Sequence, residues 1–454
     1  MAKLFGSSGV RGLVNIDLTP ALACRVGLAV ATHSKARKAL VARDTRISGA
    51  MLEDALVSGL LAGGVGVSLV GAVPTPVLAY LTKVLNADVG FMLTASHNPP
   101  PYNGIKIFNG DSLAYADESQ DAVEKIIVEN SFAMPDWRSV GEASVVDVSR
   151  LYIEMVRSAV ALRKQWRVVV DPGCGATFAV GPAVLKATGC SLTALNAQPD
   201  GFFPARRSEP TAESLKDLAH VVKKLGADVG VAFDGDGDRV AFVDAEGVFV
   251  DFDRSLAAFA AYALKRAGGG TVITNVEASI CVEKMAESYG GKVVRTKVGD
   301  VYLSEAIKRS NAVFGGEPCG AWVHPSFHYC PDGPLSAVLL LKALEEEDKG
   351  LREFVAEVPE YVTLRENIAC KNDLKHKAVA SIESSIRSAF SDYTDFSTVD
   401  GVRLALKSGW LLIRASGTEP LIRLTVEGES LKAAKDIMSK GAALVNEHVE
   451  DWKK

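Results

Sequence analysis

Asp234, Asp236 and Asp238 stand at alternate positions in Asp234-Gly235-Asp236-Gly237-Asp238-Arg239, directly after the apolar run Val229-Gly230-Val231-Ala232-Phe233. Three carboxylates this close repel one another unless a cation lies between them. An all-oxygen ligand set selects a hard ion, Mg²⁺ or Ca²⁺. A calcium EF-hand loop needs Gly at its sixth position and Glu at its twelfth. Here those positions hold Arg239 and Ala245, and both flanks read as strands, so an EF-hand is excluded. A second chemical stretch is Thr94-Ala95-Ser96-His97-Asn98-Pro99, followed by Pro100 and Pro101. Prolines in a row fit neither a helix interior nor a central strand. Ser96 therefore lies on a stiff loop between strands predicted at 89–93 and 105–108. A hydroxyl held there, beside His97 and near Lys106, is suited to carry a group taken from a substrate. If the fold brings it to the aspartates, a phosphorylated Ser96 would give a hard cation a further oxygen ligand.

Three weaker stretches accompany these two. Phe5-Gly6-Ser7-Ser8-Gly9-Val10-Arg11-Gly12 is a glycine-rich loop whose Arg11 suits a phosphate. Glu317, in Gly315-Gly316-Glu317-Pro318-Cys319-Gly320, follows a strand predicted at 312–314, at the strand end where α/β proteins bind ligands. Arg414-Ala415-Ser416-Gly417-Thr418-Glu419-Pro420, with Arg423 beyond, sets two hydroxyls around a glycine between two arginines, a phosphate grip. Cys319, His324, His328 and Cys330 lie close together, but their spacing matches no common zinc pattern.

Alternating strands and helices position these loops. The pattern predicts helices over 19–31, 52–61, 179–188, 217–225, 253–266, 283–289 and 301–308. Strands are predicted at 40–42, 67–70, 168–170, 192–195, 229–233, 271–274 and 292–295. Such alternation implies βαβ units and mostly parallel sheets, restarting three times with no evident residue-level repeat. A further helix is predicted over 335–347; the tail beyond it reads as a separate α+β unit, with helices over 375–390 and 430–449 and strands near 403–406, 410–414 and 422–427. The expected division is 1–150, 151–255, 256–360 and 361–454. The 454 residues are 48% apolar and 23% charged, with a net charge of −5, which argues against a nucleic-acid ligand. Seven scattered cysteines fit a reducing compartment. The N-terminus carries no apolar signal core, and the apolar stretch 60–81 is broken by glycines and prolines. The expectation is a soluble cytoplasmic protein with no membrane partner.

Four motifs in this order resemble those of the α-D-phosphohexomutase superfamily over essentially the whole chain. Thr94–Pro99 is similar to its phosphoserine loop and Asp234–Arg239 to its metal loop. Gly316–Gly320 is similar to its sugar-recognition loop, and Arg414–Pro420 to its phosphate-binding loop. The resemblance implies four domains around a central cleft: three related α/β domains with mixed sheets and a C-terminal α+β domain. It implies reversible phosphoryl transfer between C1 and C6 of a hexose phosphate, through phospho-Ser96 and a hexose 1,6-bisphosphate that also serves as activator. One Mg²⁺ per chain would sit on Asp234, Asp236, Asp238 and Ser96. Arg11, Lys106 and His97 would act beside Ser96. Arg239, Lys297, Glu317, Cys319, Arg414, Ser416, Gly417, Thr418 and Arg423 would bind the sugar phosphate. Many members have Ser at Cys319, His at Ala321 and His at Asp300; these departures touch sugar reading, and His324 or His328 is one expected substitute contact. The wording around Glu317 is most similar to the archaeal phosphoglucosamine mutase branch. That favours glucosamine 6-phosphate and glucosamine 1-phosphate as substrates, with phosphomannomutase/phosphoglucomutase as the alternative. A non-catalytic phosphosugar sensor and a metal-dependent phosphatase are the readings from other classes. The expected assembly is a monomer or a homodimer.

Overall fold

The computed structural model describes residues 4–6, 9–416 and 419–451. Its four sheets belong to four domains. The first sheet has seven strands in the order Phe5–Gly6, Gly9–Leu13, Tyr102–Asn109, Val89–Leu93, Lys38–Arg43, Gly66–Ala72 and Ala143–Val145. The last four of these run parallel, whereas Tyr102–Asn109 runs antiparallel to Val89–Leu93. The second sheet runs Val240–Asp244, Val229–Phe233, Arg167–Asp171, Ser191–Ala194, with only Val240–Asp244 antiparallel. The third runs Gly291–Thr296, Gly270–Asn275, Phe314–Gly316, Trp322–Val323, again with one antiparallel strand at the edge. The sheets are therefore mixed, as the family resemblance implies: the second and third are mostly parallel, and only the first departs from that expectation, with as many antiparallel as parallel pairings. Val240–Asp244 is buried at every position, like the parallel strand beside it, so its hydrophobic pattern carries no sign of its direction.

One arrangement repeats in all three domains. A central strand runs to its C-terminal end, turns through a motif loop, and returns antiparallel beside itself. Ser96 lies in the turn between Val89–Leu93 and Tyr102–Asn109. The three aspartates lie between Val229–Phe233 and Val240–Asp244. Glu317 lies between Phe314–Gly316 and Trp322–Val323. In the C-terminal domain, Ser416 likewise follows Gly409–Ala415, which pairs antiparallel with Leu421–Gly428.

Local sequence explains most of the elements. Thr19 caps the helix Pro20–Ser34 by accepting from the Leu22 N–H at 3.2 Å, and Pro20 occupies the first turn, where no donor is needed. The strand expected at 312–314 instead spans Phe314–Gly316. The Ala312 N–H still closes the preceding helix by donating to the Ile307 carbonyl, so pairing starts two residues later. The helices Asp117–Glu129 and Ser149–Ala159 and the strand Val362–Ala369 were not among the expected elements. One apolar cluster runs from Leu40 through Phe233 and Phe314 to Val358, so the first three domains share a core. The C-terminal five-stranded antiparallel sheet has its own core and meets the third domain through Val276, Trp410 and Leu412. No helix among the described residues is long and apolar enough to cross a membrane. None of the seven cysteines is in a disulfide.

Candidate active site

The serine loop and the aspartate loop meet. Ser96 Oγ donates to Asp234 Oδ2 at 2.7 Å across two domains, and both residues are buried. Lys106, on the return strand Tyr102–Asn109, sends its ammonium to Asp236 Oδ2 at 2.9 Å and to Asp238 Oδ2 at 2.6 Å. Thr75 Oγ1 also donates to Asp236 Oδ2. Arg11, from the strand Gly9–Leu13, donates to Asn98 Oδ1 at 2.9 Å. His97 Nδ1 lies 3.5 Å from Ser96 Oγ.

Backbone geometry makes this contact possible. Ser96 has φ of +50°, a left-handed conformation that non-glycine residues seldom adopt. Gly235 lies so close to the Ser96 carbonyl that a Cβ there would stand 2.4 Å from its oxygen. A side chain at that position would push the two loops apart.

Burial and charge set the protonation states. Burial opposes a charge on Lys106, but Asp236 and Asp238 outweigh it and hold its ammonium well above the usual lysine range. Burial also opposes ionisation of Asp236, yet Lys106 and the Thr75 hydrogen bond win and hold it below the carboxylate range. Burial, then Asp238 and Asp236, raise Asp234. Burial, then Asp236, raise Asp238. Burial, reinforced by Arg239 and Arg11, pushes the His97 imidazolium down to about 2, so its ring is neutral.

The aspartates fit a metal. One ligand oxygen from each of Asp234, Asp236 and Asp238 lies within 4.8 Å of the others, and this is the only such group among the described residues. Asp236 Oδ1 and Asp238 Oδ1 are buried with no hydrogen-bond partner. Unsatisfied carboxylate oxygens at this depth are costly, and a hard dication is the species an all-oxygen set satisfies.

The aspartate loop also touches the third domain. Arg239 bridges Ala321 through the backbone, and the Val240 N–H donates to the Gly320 carbonyl at 3.0 Å. Arg239 lies 3.9 Å from Asp238 and 3.6 Å from Glu209. Glu317 is buried and accepts from Asn275 Nδ2 at 2.8 Å and the Gly299 N–H at 2.9 Å, both on Oε1. Cys319 is half-buried, and burial pushes its thiol up to about 12.

Family profiles for phosphoglucomutase/phosphomannomutase match the chain in four successive segments: α/β/α domain I over residues 2–134, domain II over 150–247, domain III over 251–361 and the C-terminal domain over 365–443. The chain belongs to the phosphoglucomutase/phosphomannomutase family. A probable phosphoglucosamine mutase of Methanopyrus kandleri is 43% identical, with 99% of each chain covered. The phosphoglucosamine mutase of Methanocaldococcus jannaschii is 41% identical over 98% of this chain and 99% of its own length. Among solved structures, a phosphoglucomutase/phosphomannomutase family protein from Burkholderia thailandensis aligns with a TM-score of 0.89 at 28% identity, covering 98% of this chain and 97% of its own.

In this phosphoglucomutase/phosphomannomutase chain the remaining candidate residues lie apart from the Ser96 cluster or in other company. Arg414 pairs with Glu277 of the third domain at 2.6 Å and with Asp400 at 3.2 Å. Ser416 Oγ accepts from the Glu419 N–H, and Arg423 pairs with Glu419. Gly417 and Thr418 lie outside the described residues. Lys297 is exposed, its ammonium 5.3 Å from the centre of the Tyr302 ring. The expectation that His324 or His328 contacts the sugar does not hold. His324 Nε2 is spent on Ser336 Oγ and His328 Nε2 on Asp332 Oδ2, each at 2.8 Å, and both rings are buried. Those bonds also occupy nitrogens that a zinc ion would need.

The sequence reading missed Asp44, Arg46, Thr75, Ser208 and Asn275. Arg46 holds the backbone of the serine loop, and Ser208 Oγ donates to the His97 carbonyl. The available signal was Arg43-Asp44-Thr45-Arg46 directly after a strand predicted at 40–42, where charges normally mark an exposed turn.

Proposed function

We propose that this chain is a phosphohexomutase that interconverts glucosamine 6-phosphate and glucosamine 1-phosphate in the cytoplasm. The observation that carries the chemistry is the 2.7 Å contact between Ser96 Oγ and Asp234 Oδ2, inside a buried cluster that also holds Lys106. In the proposed cycle phospho-Ser96 gives its phosphoryl group to one sugar hydroxyl. The resulting hexose 1,6-bisphosphate reorients and returns its other phosphate to Ser96. Phosphoryl transfer of this kind depends on positioning and charge neutralisation. Asp234, Asp236 and Asp238 would hold Mg²⁺, with a phosphate oxygen on Ser96 completing the site. When bound, the ion offsets negative charge on the transferring oxygens.

The chain's own residues supply the rest. Phospho-Ser96 carries roughly −1.5 to −2 of charge. Lys106 and Arg11 face that charge as cations, and Lys106 is held protonated, which suits neutralisation better than proton abstraction. Neutral His97 would offer a ring nitrogen beside Ser96 Oγ as a hydrogen-bonding group. Glu317 keeps Oε1 on Asn275 and Gly299, leaving Oε2 to accept from a sugar hydroxyl. Arg239, Lys297 and Cys319 would line the sugar site. Arg414, Ser416, Gly417, Thr418 and Arg423 would grip the phosphate that is not being transferred. The choice of glucosamine rests on the relatives' names and their 41–43% identity over nearly the whole chain. Seven cysteines, none of them in a disulfide, support a reducing compartment.

The test is the intact mass of the purified protein, followed by assays with Mg²⁺ on glucosamine, glucose and mannose phosphates. A gain of about 80 Da, the mass of one phosphoryl group, mapped to Ser96, with fastest turnover of glucosamine phosphates, is expected. Fastest turnover of mannose or glucose phosphates would reassign the substrate. Release of inorganic phosphate in place of an isomer would reassign the reaction.

A further inference from the structure

Arg46 is 1% exposed, yet it carries a full charge and five N–H groups into the first domain. Every one of them is used. Nε donates to Asp44 Oδ2 at 3.0 Å. Nη1 donates to the carbonyls of Pro99 at 2.8 Å and Tyr102 at 3.0 Å. Nη2 donates to the carbonyls of Ser96 at 2.8 Å and Asn98 at 2.6 Å. The Phe203 ring of the second domain covers the guanidinium at 5.2 Å. Asp44 completes the frame: its Oδ2 accepts from Thr94 Oγ1 at 2.7 Å, and Thr94 Oγ1 accepts from the Ser96 N–H at 2.8 Å. Both peptide groups of Ser96 are thus tied to the Asp44–Arg46 pair, one directly and one through Thr94.

This frame has a specific task. A left-handed serine costs free energy and persists only where its surroundings over-determine it. Glycine would relieve the strain but lacks the hydroxyl. Four loop carbonyls turned toward one point repel each other, and a planar fork of donors is the group that gathers them. We propose that Arg46 is the positioning residue of the reaction: it holds Ser96 at its left-handed φ so that Oγ faces Asp234. It touches no reacting atom and acts through the backbone of residues 96–102. A lysine there keeps the charge but offers only three donors without the planar fork.

The inference rests on the reading of Ser96 as the phosphate carrier, so the test has one arm that needs no turnover. The full-length Arg46→Lys and Arg46→Ala variants would be compared with wild type and with Arg43→Lys, whose half-buried arginine on the same stretch pairs with Glu53. Three quantities would be measured: kcat and KM with glucosamine 1-phosphate, Mg²⁺ and bisphosphate activator; the phosphate content of Ser96; and amide hydrogen exchange over residues 94–103. In Arg46→Lys, kcat should fall about a hundredfold with KM within about threefold, the cost of roughly 1 Å of misplacement. Exchange should rise in 94–103 and stay unchanged elsewhere. Guanidinium ion at millimolar concentration should recover part of kcat in Arg46→Ala and none in Arg46→Lys. Wild-type exchange in 94–103, or faster exchange there with unchanged kcat, would overturn the proposal. So would an equal loss of protection throughout the first domain, which marks a merely structural arginine. If wild type turns over no sugar phosphate, the functional reading falls, and the exchange arm alone decides whether Arg46 sets the loop.

Discussion

Replacing Gly235 with Ala isolates the approach of the two loops. Gly235 is not among the residues with positive φ, so its backbone accepts alanine and only space opposes the change. The new Cβ would stand 2.4 Å from the Ser96 carbonyl oxygen and 3.4 Å from Ser208 Cβ. Carbon and oxygen settle near 3.3 Å, so the loops must separate by about 0.9 Å. Taken along the Ser96–Asp234 direction, that opens their 2.7 Å contact to roughly 3.6 Å, beyond the reach of a hydrogen bond. Overpacking of this kind costs ~1–3 kcal/mol of stability. The effect on the reaction should be larger in kind: a misplacement of nearly 1 Å costs about a hundredfold, or ~2.7 kcal/mol of barrier. The assay is steady-state kcat at saturating sugar phosphate and Mg²⁺ for wild type, Gly235→Ala and a control, Gly350→Ala. Gly350 is exposed at the N-cap of the helix Leu351–Ala356, where a Cβ meets nothing closer than Glu353 Oε2 at 3.7 Å. The control should keep wild-type kcat. If Gly235→Ala turns over within about threefold of wild type, the close approach of Ser96 to the aspartate loop is not what sets the rate, and the argument fails.

Two further outcomes follow from buried carboxylates. Dialysis against a chelator should abolish turnover, and Mg²⁺ should restore it while raising the thermal unfolding temperature, because a ligand at a hundred times its Kd adds about 2.7 kcal/mol; turnover that survives complete removal of divalent ions would refute the metal assignment. Burial pushes the Asp253 carboxyl up to about 7, against the pull of the Ser279 N–H it accepts, and the shift has a definite sign. A carboxyl raised in the fold above its ordinary value near 3.9 contributes stability that is complete below about 4 and is lost as pH rises through about 7. The Asp253→Asn variant keeps the acceptor and should lack that decline, so melting profiles of wild type and variant that run parallel between pH 4 and 7 would contradict the burial argument.

The chemistry was legible because its residues break the rules of packing. Aspartates at alternate positions after a buried strand, and a serine before consecutive prolines, have no role in a core, so sequence alone marks them as a site. Their meeting was not legible. Ser96 and Asp234 are 138 positions apart, and their contact depends on two turns that share one geometry without sharing residues. The return strands hide this repeat. Trp322–Val323 has two residues, too short for a period, and Val240–Asp244 is buried throughout and so resembles its parallel neighbour. The same limit accounts for the two-residue shift at Phe314–Gly316, where a helix cap claimed Ala312. His324 and His328 were misread for the opposite reason: histidine suggests a ligand, but a buried ring whose nitrogen meets a serine or an aspartate is satisfied within the core.

Arg46 shows where the limit lies. Burial of a charge follows from its partners, and here four of its five partners are backbone carbonyls or sit on backbone that any residue type would present. No side chain in the serine loop announces a guanidinium beneath it. The loop can be rigid because its carbonyls face inward, and they can face inward only because a planar cation waits there. An arginine next to an aspartate, just after a strand whose neighbour ends in a proline-stiffened loop, is therefore as well suited to being that loop's foundation as to being solvated. The choice between the two is made by the carbonyls, which only the folded backbone reveals.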